Sequence, residues 1–222
     1  MTLPQTLPEA IAQAQRAAQQ AIAAGETRLL VELWLPEVKP MALGWAFMQA
    51  FEAWGEHGRV VFPDAGAAAL ARRDWGEVPW RLETLREPHH PTDQGVVVIA
   101  PDPAAVTEVR LLVETAPCPV ILLNPRLEDA ATVGIGYAGR RLRREFLQTL
   151  VTAYYLRPVE GGAVLRRYPD PWQVWRETLE GDYQAVGETA TNPDPETLER
   201  LLHPPRGGFW RGLERLWRAL RA

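Results

Sequence analysis

The sequence has no serine, one lysine and one cysteine among its 222 residues, and each scarcity excludes a class of chemistry. Without serine, every mechanism that uses a serine nucleophile is excluded. No glycine occurs in the four residues before the single lysine, Lys39, so no phosphate-binding P-loop precedes it. Cys118 stands between two prolines at the start of a hydrophobic run, where a buried, inert thiol is favoured over a nucleophile.

Histidine and charge set further bounds. His57, His89, His90 and His203 lack the spacing of known metal motifs, and flanking prolines favour an exposed loop for the central pair. The net charge of -4 does not indicate a nucleic-acid partner, which a basic domain usually binds. We therefore expect no metal, no cofactor and no nucleic acid.

The first residues lack the basic and apolar segments of a signal peptide. No stretch approaches the ~20 apolar residues that a membrane-spanning helix needs. The expected location is cytoplasmic, with the chain either soluble or peripheral to a membrane.

Hydrophobic runs and amphipathic segments alternate over the first half of the chain. Strands are predicted at residues 28–35, 59–62, 95–100 and 120–123, with a weaker one at 80–85, and helices at 6–24, 41–54, 65–75 and 104–115. Alternation in such short units predicts right-handed βαβ crossovers and a mostly parallel sheet. Ligands of such sheets bind beyond the carboxyl ends of the strands. The loops to inspect are residues 36–40, 63–66, 101–103 and 124–139.

Beyond residue 150 the segments become short and aromatic, separated by tight turns, which favours antiparallel strands at the sheet edge. The predicted fold is α/β: a Rossmann-like, three-layer, mostly parallel sheet with an antiparallel C-terminal extension and an amphipathic C-terminal helix. One domain is expected over residues 1–202, its parallel part running to about residue 158 and its extension from 159 to 202. A hinge at 203–208 and a helical tail at 209–222 follow.

A glycine run follows the strand predicted at residues 120–123. Gly134, Gly136 and Gly139 precede Arg140 and Arg141, and exposed backbone N–H groups at a helix start beside arginines can hold a phosphate. A dinucleotide fingerprint, however, turns directly from strand to helix and has an acid about 20 residues later, and neither holds here. Turn and packing roles for the glycines are favoured, and phosphate or nucleotide binding is the alternative.

The predicted helix after this run is rich in arginine. Leu142, Phe146, Leu150 and Ala153 share one face, which leaves Arg140, Arg143 and Arg144 on the outer side. Two interpretations stay open for these arginines. They form an ordinary solvated face, or they join Arg157, Arg166 and Arg167 in a basic surface for a phosphate, an anionic lipid head group or an acidic partner.

The tail separates apolar from basic residues. The apolar side contains Phe209, Trp210, Leu213, Leu216, Trp217 and Leu220, and the basic residues are Arg211, Arg215, Arg218 and Arg221. This pattern is typical of a helix that lies on a membrane surface or binds in a partner's groove. Docking of the tail on its own domain is the equally weighted alternative.

Several separate motifs resemble one known family. LPQTLPEAIAQAQ at the start, the loop beginning at Asp64, VILLNPRLED with VGIG, and YYLRP followed by RRYPDPW resemble the DUF1995 domain family of cyanobacteria and chloroplasts. Some chloroplast members are implicated in photosystem II accumulation or assembly. The resemblance implies a peripheral factor at the thylakoid membrane, and it brings no catalytic residues.

Three functional hypotheses follow. The first is a non-enzymatic assembly or interaction factor for photosynthetic membrane complexes, whose partner is the membrane surface or a membrane-protein assembly intermediate. The second is a phosphate- or nucleotide-binding domain, such as a degenerate enzyme, that uses residues 134–141. The third is hydrolysis or group transfer by Asp64 or Asp102 at the strand ends, for which the sequence offers no partner residue.

Overall fold

A computed structural model of the protein describes residues 2–35, 38–127 and 145–203. The strands are β1 (Arg28–Leu33), β2 (Gly58–Phe62), β3 (Arg81–Thr84), β4 (Gly95–Ile99), β5 (Val120–Leu123), β6 (Val151–Val159), β7 (Gly162–Arg167), β8 (Trp172–Glu177) and β9 (Tyr183–Thr189). The α-helices are α1 (Leu7–Ala23), α2 (Pro40–Met48), α3 (Ala65–Trp75), α4 (Val106–Thr115) and α5 (Pro195–Leu202).

The nine strands of the described residues form one sheet in the order β3-β2-β4-β5-β1-β6-β7-β8-β9. The neighbours from β3 to β6 pair in parallel, and those from β6 to β9 pair antiparallel. This confirms the predicted α/β class, the mostly parallel sheet and its antiparallel C-terminal extension. A close approach of β7 to β8 requires Gly162, because a Cβ there would lie 2.0 Å from the carbonyl oxygen of Trp175.

The two faces of the sheet are covered by different parts of the chain. The first face, under α1, α2 and α3, buries the larger hydrophobic core, which includes Phe47, Phe62 and Tyr154. The second face buries a smaller core under α4, with Phe146 and Leu150. Successive strand residues alternate between these cores, as in Val60 to the first and Val61 to the second, because side chains alternate across a pleated strand.

Helix α1 lies close to the sheet because the residues that face it are small. Ala14, Ala18 and Ala21 are completely buried, and the helix packs on β1 and β6. Thr6 caps its start by accepting a hydrogen bond from the Glu9 N–H at 3.3 Å. Among the described residues, no helix has the length and apolarity needed to cross a bilayer.

Two predicted helices end earlier than expected. The α-helix predicted over residues 41–54 ends at Met48 and continues as a kinked 3-10 segment, Gln49–His57. The kink brings the Trp54 ring against the start of β4, where a Cβ on Gly95 would lie 2.4 Å from that ring. Ala153 was assigned to the arginine-rich helix, and this is wrong, because Ala153 lies in β6 and in the first-face core.

Candidate functional site

Strands β2 and β4 are neighbours whose chains leave the sheet in opposite directions. The helix that follows β2, α3, covers the first face, whereas the helix that follows β4, α4, covers the second. Such a reversal opens a crevice at the carboxyl ends of the two strands, which is where open α/β sheets bind ligands. The sequence-predicted loops at residues 63–66 and 101–103 both lie at this place.

Two adjoining cavities, of about 340 and 200 Å³, occupy this position and share Pro63 and Asp102. We call them together the strand-end cleft. The larger cavity also contacts Asp64, Thr84, Arg86 and Glu108. The smaller one extends to the start of α2 and to Arg126.

The two aspartates of the strand-end cleft cap helices. Asp64 accepts a hydrogen bond from the Ala67 N–H at 2.9 Å, and Asp102 accepts one from the Ala105 N–H at 3.0 Å. Both follow a proline, which comes directly after β2 in one case and one residue beyond β4 in the other, and an acidic residue there offsets the positive end of the following helix. Each carboxylate therefore has a structural role, and both helix starts already carry a negative charge.

The cleft also contains the hydroxyl of Thr84. The Thr84 hydroxyl and the Thr84 N–H both donate to the carboxylate of Glu87, at 2.5 and 3.0 Å. These hydrogen bonds, the side-chain one foremost, lower the pKa of Glu87. The hydroxyl is thus engaged in closing a tight turn after β3.

Two residues other than glycine adopt left-handed backbone conformations at the strand ends. Ala100 follows β4 with φ 43°, and Asn124 follows β5 with φ 46°. Left-handed backbone costs an L-residue about 1–2 kcal/mol, less for asparagine, so the surroundings must hold these positions in place.

Asn124 joins β5 to β1 through its side chain. Its Oδ1 accepts from the Leu33 N–H at 2.6 Å, and its Nδ2 donates to the Leu33 carbonyl at 3.0 Å. The amide side chain therefore continues the β1–β5 ladder beyond the last regular strand residue. Sequence analysis missed this role, although an Asn-Pro pair directly after a buried strand was the signal.

A tryptophan and an arginine lie at the same edge of the sheet, on its second face. Trp34 follows β1 and is 39% exposed, and the guanidinium of Arg157 lies over its ring at 5.4 Å from the centroid. A cation over an exposed tryptophan face contributes about 0.5–1 kcal/mol. The pair presents an amphipathic surface at the carboxyl end of β1, two strands away from β4.

Cys118 lies at the opposite, amino-terminal edge of the sheet, just before β5. It is 6% exposed, and burial raises the pKa of its thiol to about 11. A thiol in this environment stays protonated near neutral pH and is not an activated nucleophile.

A buried charge network lies on the second face of the sheet and joins β2 to β3. The Arg59 side chain is completely buried, and its Nε lies 2.5 Å from a Glu83 carboxylate oxygen. Arg59 donates to the carbonyls of Thr84 and Glu87 as well, so it ties the connection after β3 to the sheet. His89 approaches the Leu112 carbonyl at 3.2 Å, and burial, followed by the charge of Arg59, lowers the pKa of His89.

The structure separates three arginines that one interpretation placed on a common surface. Arg166 pairs across the ladder with Tyr155, and Arg157 follows Tyr155 by two residues, which places both on the second face. Arg167 pairs with Tyr154 and lies on the first face. The three do not form one surface.

The anion-site candidates Gly134, Gly136, Gly139, Arg140 and Arg141 lie outside the described residues, as do Arg143, Arg144 and the tail from residue 209 to 222. Within the described ranges, no group of three or more histidine, cysteine, aspartate or glutamate residues has the geometry of a metal site.

The sequence profile of a domain of unknown function, DUF1995, matches residues 4–200. The chain belongs to the DUF1995 family. The match includes the whole nine-stranded sheet and ends before the amphipathic tail, so the DUF1995 domain and the tail are distinct parts of the sequence. No curated protein and no solved structure matches the chain.

Proposed function

We propose that this DUF1995 chain is a non-enzymatic interaction factor that works at the surface of photosynthetic membranes in the assembly of photosystem II. The observation that carries the proposal is that polar side chains of the strand-end cleft make hydrogen bonds to residues close to them in sequence. The carboxylates of Asp64 and Asp102 cap helices and the Thr84 hydroxyl closes a turn, so these groups hold the backbone in place. In an active site, such side chains would instead point towards the substrate.

Trp34 and Arg157 support a binding role at this edge. Tryptophan and arginine are enriched among the residues that contribute most to protein–protein affinity, because both combine large contact area with polar groups. A partner that covers the Trp34 ring would desolvate a half-exposed aromatic side chain and retain its cation contact. We propose this pair as the centre of the protein-binding surface.

The tail supports attachment to the membrane. Phe209, Trp210 and Trp217 on one side, with arginines opposite, combine the apolar insertion and the attraction to anionic lipids that interfacial helices use. The photosystem II assignment rests on the family resemblance of the domain. The proposed location is therefore the cytoplasmic surface of the thylakoid membrane.

Flotation with vesicles of thylakoid-like anionic lipids tests the membrane part. The full chain should float with the vesicles, a chain truncated after His203 should stay in the dense fraction, and a Trp210→Ala, Trp217→Ala double variant should float much less. High salt should weaken flotation, because the arginine contribution is screened. Equal flotation of all three forms, or of none, would eliminate the tail as the attachment segment.

Affinity capture from native photosynthetic membranes tests the partner. The tagged full chain should retain photosystem II subunits, and Trp34→Ala should reduce their recovery roughly thirtyfold if Trp34 contributes about 2 kcal/mol to binding. Leu111→Ala removes an exposed apolar side chain 60% accessible on α4 and is the matched control. Recovery of no photosystem II subunit with the native chain would refute the assembly role.

Calorimetric titration with adenine nucleotides tests the alternative function. The interaction-factor proposal predicts no binding at millimolar nucleotide. Saturable binding that disappears in an Arg140→Gln, Arg141→Gln variant would favour a phosphate site at residues 134–141 instead.

A further inference from the structure

A separate cavity, of about 280 Å³, opens on the first face of the sheet, between α1 and the turn after β7. Its wall on the helix side consists of Gln13, Arg16, Ala17 and Gln20, and its opposite wall of Arg167, Tyr168, Pro169 and Asp170. We call it the basic cleft. It lies at a different place on the sheet from the strand-end cleft, and the described residues that line it do not include Trp34.

Tyr154 adjoins the basic cleft from the sheet. It is completely buried, lies directly across the ladder from Arg167, and donates a hydrogen bond from its hydroxyl to the Gln13 Oε1 at 3.4 Å. Burial raises the pKa of Tyr154, whereas the positive charges of Arg167 and Arg16 lower it. Both guanidiniums are therefore within electrostatic range of the same phenol, and they converge from opposite walls.

The guanidinium of Arg167 has a donor that is not used in a hydrogen bond within the described residues. Its Nη2 lies 3.4 Å from an Asp170 carboxylate oxygen, which is a long contact for a charged pair. Its Nε is buried and has no hydrogen-bond partner among the described residues. A buried N–H donor without an acceptor is unfavourable, so an acceptor that enters the cleft beside Arg167 stabilises it.

Charge and size indicate which acceptor fits. Two guanidiniums and one carboxylate line the cleft, which leaves an excess of positive charge. The planar fork of arginine matches the oxygen geometry of phosphate, and two arginines together suit a doubly charged group. A volume of 280 Å³ lies just below the usual range of about 300–1,000 Å³ for drug-sized ligands, so the cleft suits a head group or a small metabolite.

We propose that the basic cleft binds the phosphate group of a small molecule or of an anionic lipid head group, held between Arg167 and Arg16. Arg167 forms the inner contact through its guanidinium, which turns so that the buried Nε meets the phosphate, and Arg16 closes the site from the exposed side of α1. Asp170 orients Arg167 by contacting its Nη2. Tyr154 and Gln13 hold each other in place and keep the inner wall polar.

Titration of the ¹⁵N-labelled full chain with inorganic phosphate and with glycerol 1-phosphate, at constant ionic strength, tests the site. The Nε–Hε resonance of Arg167, assigned by its loss in Arg167→Gln, should shift and saturate at millimolar ligand. Arg16→Gln should weaken binding about tenfold or more, as expected when one charge-assisted contact is removed. Arg110→Gln, on exposed α4, is the matched control, because Arg110 pairs with Glu114 at 3.0 Å far from the cleft.

Each outcome decides the proposal. A saturable Arg167 shift that Arg16→Gln weakens and Arg110→Gln does not supports it. No saturable shift, the same affinity in native and Arg16→Gln chains, or a stronger response to acetate than to phosphate overturns it. If Arg167→Gln misfolds, as near-ultraviolet circular dichroism would reveal, Arg16→Gln still provides the test, because Arg16 is exposed on α1.

Flotation of the full chain with phosphatidylglycerol vesicles distinguishes the two sources of the phosphate. If the ligand is a lipid head group, Arg16→Gln reduces flotation beyond the effect of Arg110→Gln. If it is a soluble phosphate compound, flotation stays unchanged while the Arg167 resonance still responds to glycerol 1-phosphate. Failure of this site leaves the proposed interaction function standing, because that function rests on Trp34, Arg157 and the tail.

Discussion

Replacing Asn124 should destabilise the protein more than its half-buried position suggests. Asn124→Ala removes both side-chain hydrogen bonds to the Leu33 backbone and leaves a Cβ at φ 46° without the tolerance of asparagine. Leu33 is only 2% exposed, so its N–H and C=O would have little access to water. Each buried backbone group left unpaired costs about 1–3 kcal/mol.

The magnitude can be worked from these contacts. With partial access of water at the strand end, the two unpaired groups cost about 2–4 kcal/mol together. The left-handed backbone adds about 1 kcal/mol for alanine relative to asparagine. We expect the free energy of unfolding to fall by about 3–5 kcal/mol, a large part of the 5–15 kcal/mol typical of a domain.

Two further substitutions separate the contributions. Asn124→Gly relieves the backbone strain but not the lost hydrogen bonds, so it should be about 1 kcal/mol less harmful than Asn124→Ala. Asn124→Asp keeps the acceptor for the Leu33 N–H and loses the donor to the Leu33 carbonyl. The difference in unfolding free energy between Asn124→Asp and the native chain should become smaller at low pH, because a protonated carboxyl group can again donate to the Leu33 carbonyl.

Urea unfolding followed by tryptophan fluorescence measures all three, because nine tryptophans report on the packing of the chain. The reasoning is refuted if Asn124→Ala and Asn124→Gly both unfold within about 0.5 kcal/mol of the native protein, the range of a neutral surface change. Equal unfolding free energies of Asn124→Ala and Asn124→Gly would show that the backbone at position 124 is not strained, which would contradict that part of the reasoning.

Two other predictions concern Cys118 and His89. Cys118, with a pKa of about 11 and 6% exposure, should react with a thiol reagent at pH 8 only as fast as the native protein opens, whereas urea-unfolded chain reacts at once; immediate stoichiometric labelling of native protein would contradict this. His89, whose pKa is lowered from 6.5 by burial and by Arg59, is held neutral in the folded state, and so the unfolded chain binds more protons. The unfolding free energy should therefore fall as pH decreases below 6.5, and His89→Gln, which keeps a donor for Leu112, should flatten that dependence in urea titrations. An unchanged pH profile in His89→Gln would exclude His89 as its source.

The charge network around Arg59 illustrates what a sequence does not predict. Arg59 stands in a short hydrophobic run and was assigned to a buried strand, but nothing local predicts that its guanidinium is buried against Glu83. That contact requires β3 to pair beside β2 in register, a relation between residues 24 positions apart in sequence. Burial of an arginine is stable only when such a partner and carbonyl acceptors are supplied together.

The sequence by itself determined the α/β class, the parallel sheet, the antiparallel extension and the position of the strand-end loops, because hydrophobic periodicity and turn residues act over a few positions. It also carried the motifs by which the chain is recognised as a DUF1995 member. Only the tertiary structure decided that β2 and β4 are neighbours with a crevice between them, that Asn124 completes the ladder to β1, and that Arg167 meets Arg16 across a cleft while Arg166 faces away. The order of the strands, and with it the contacts between side chains distant in sequence, depends on burying the hydrophobic faces of all elements together. A local sequence pattern does not contain this information.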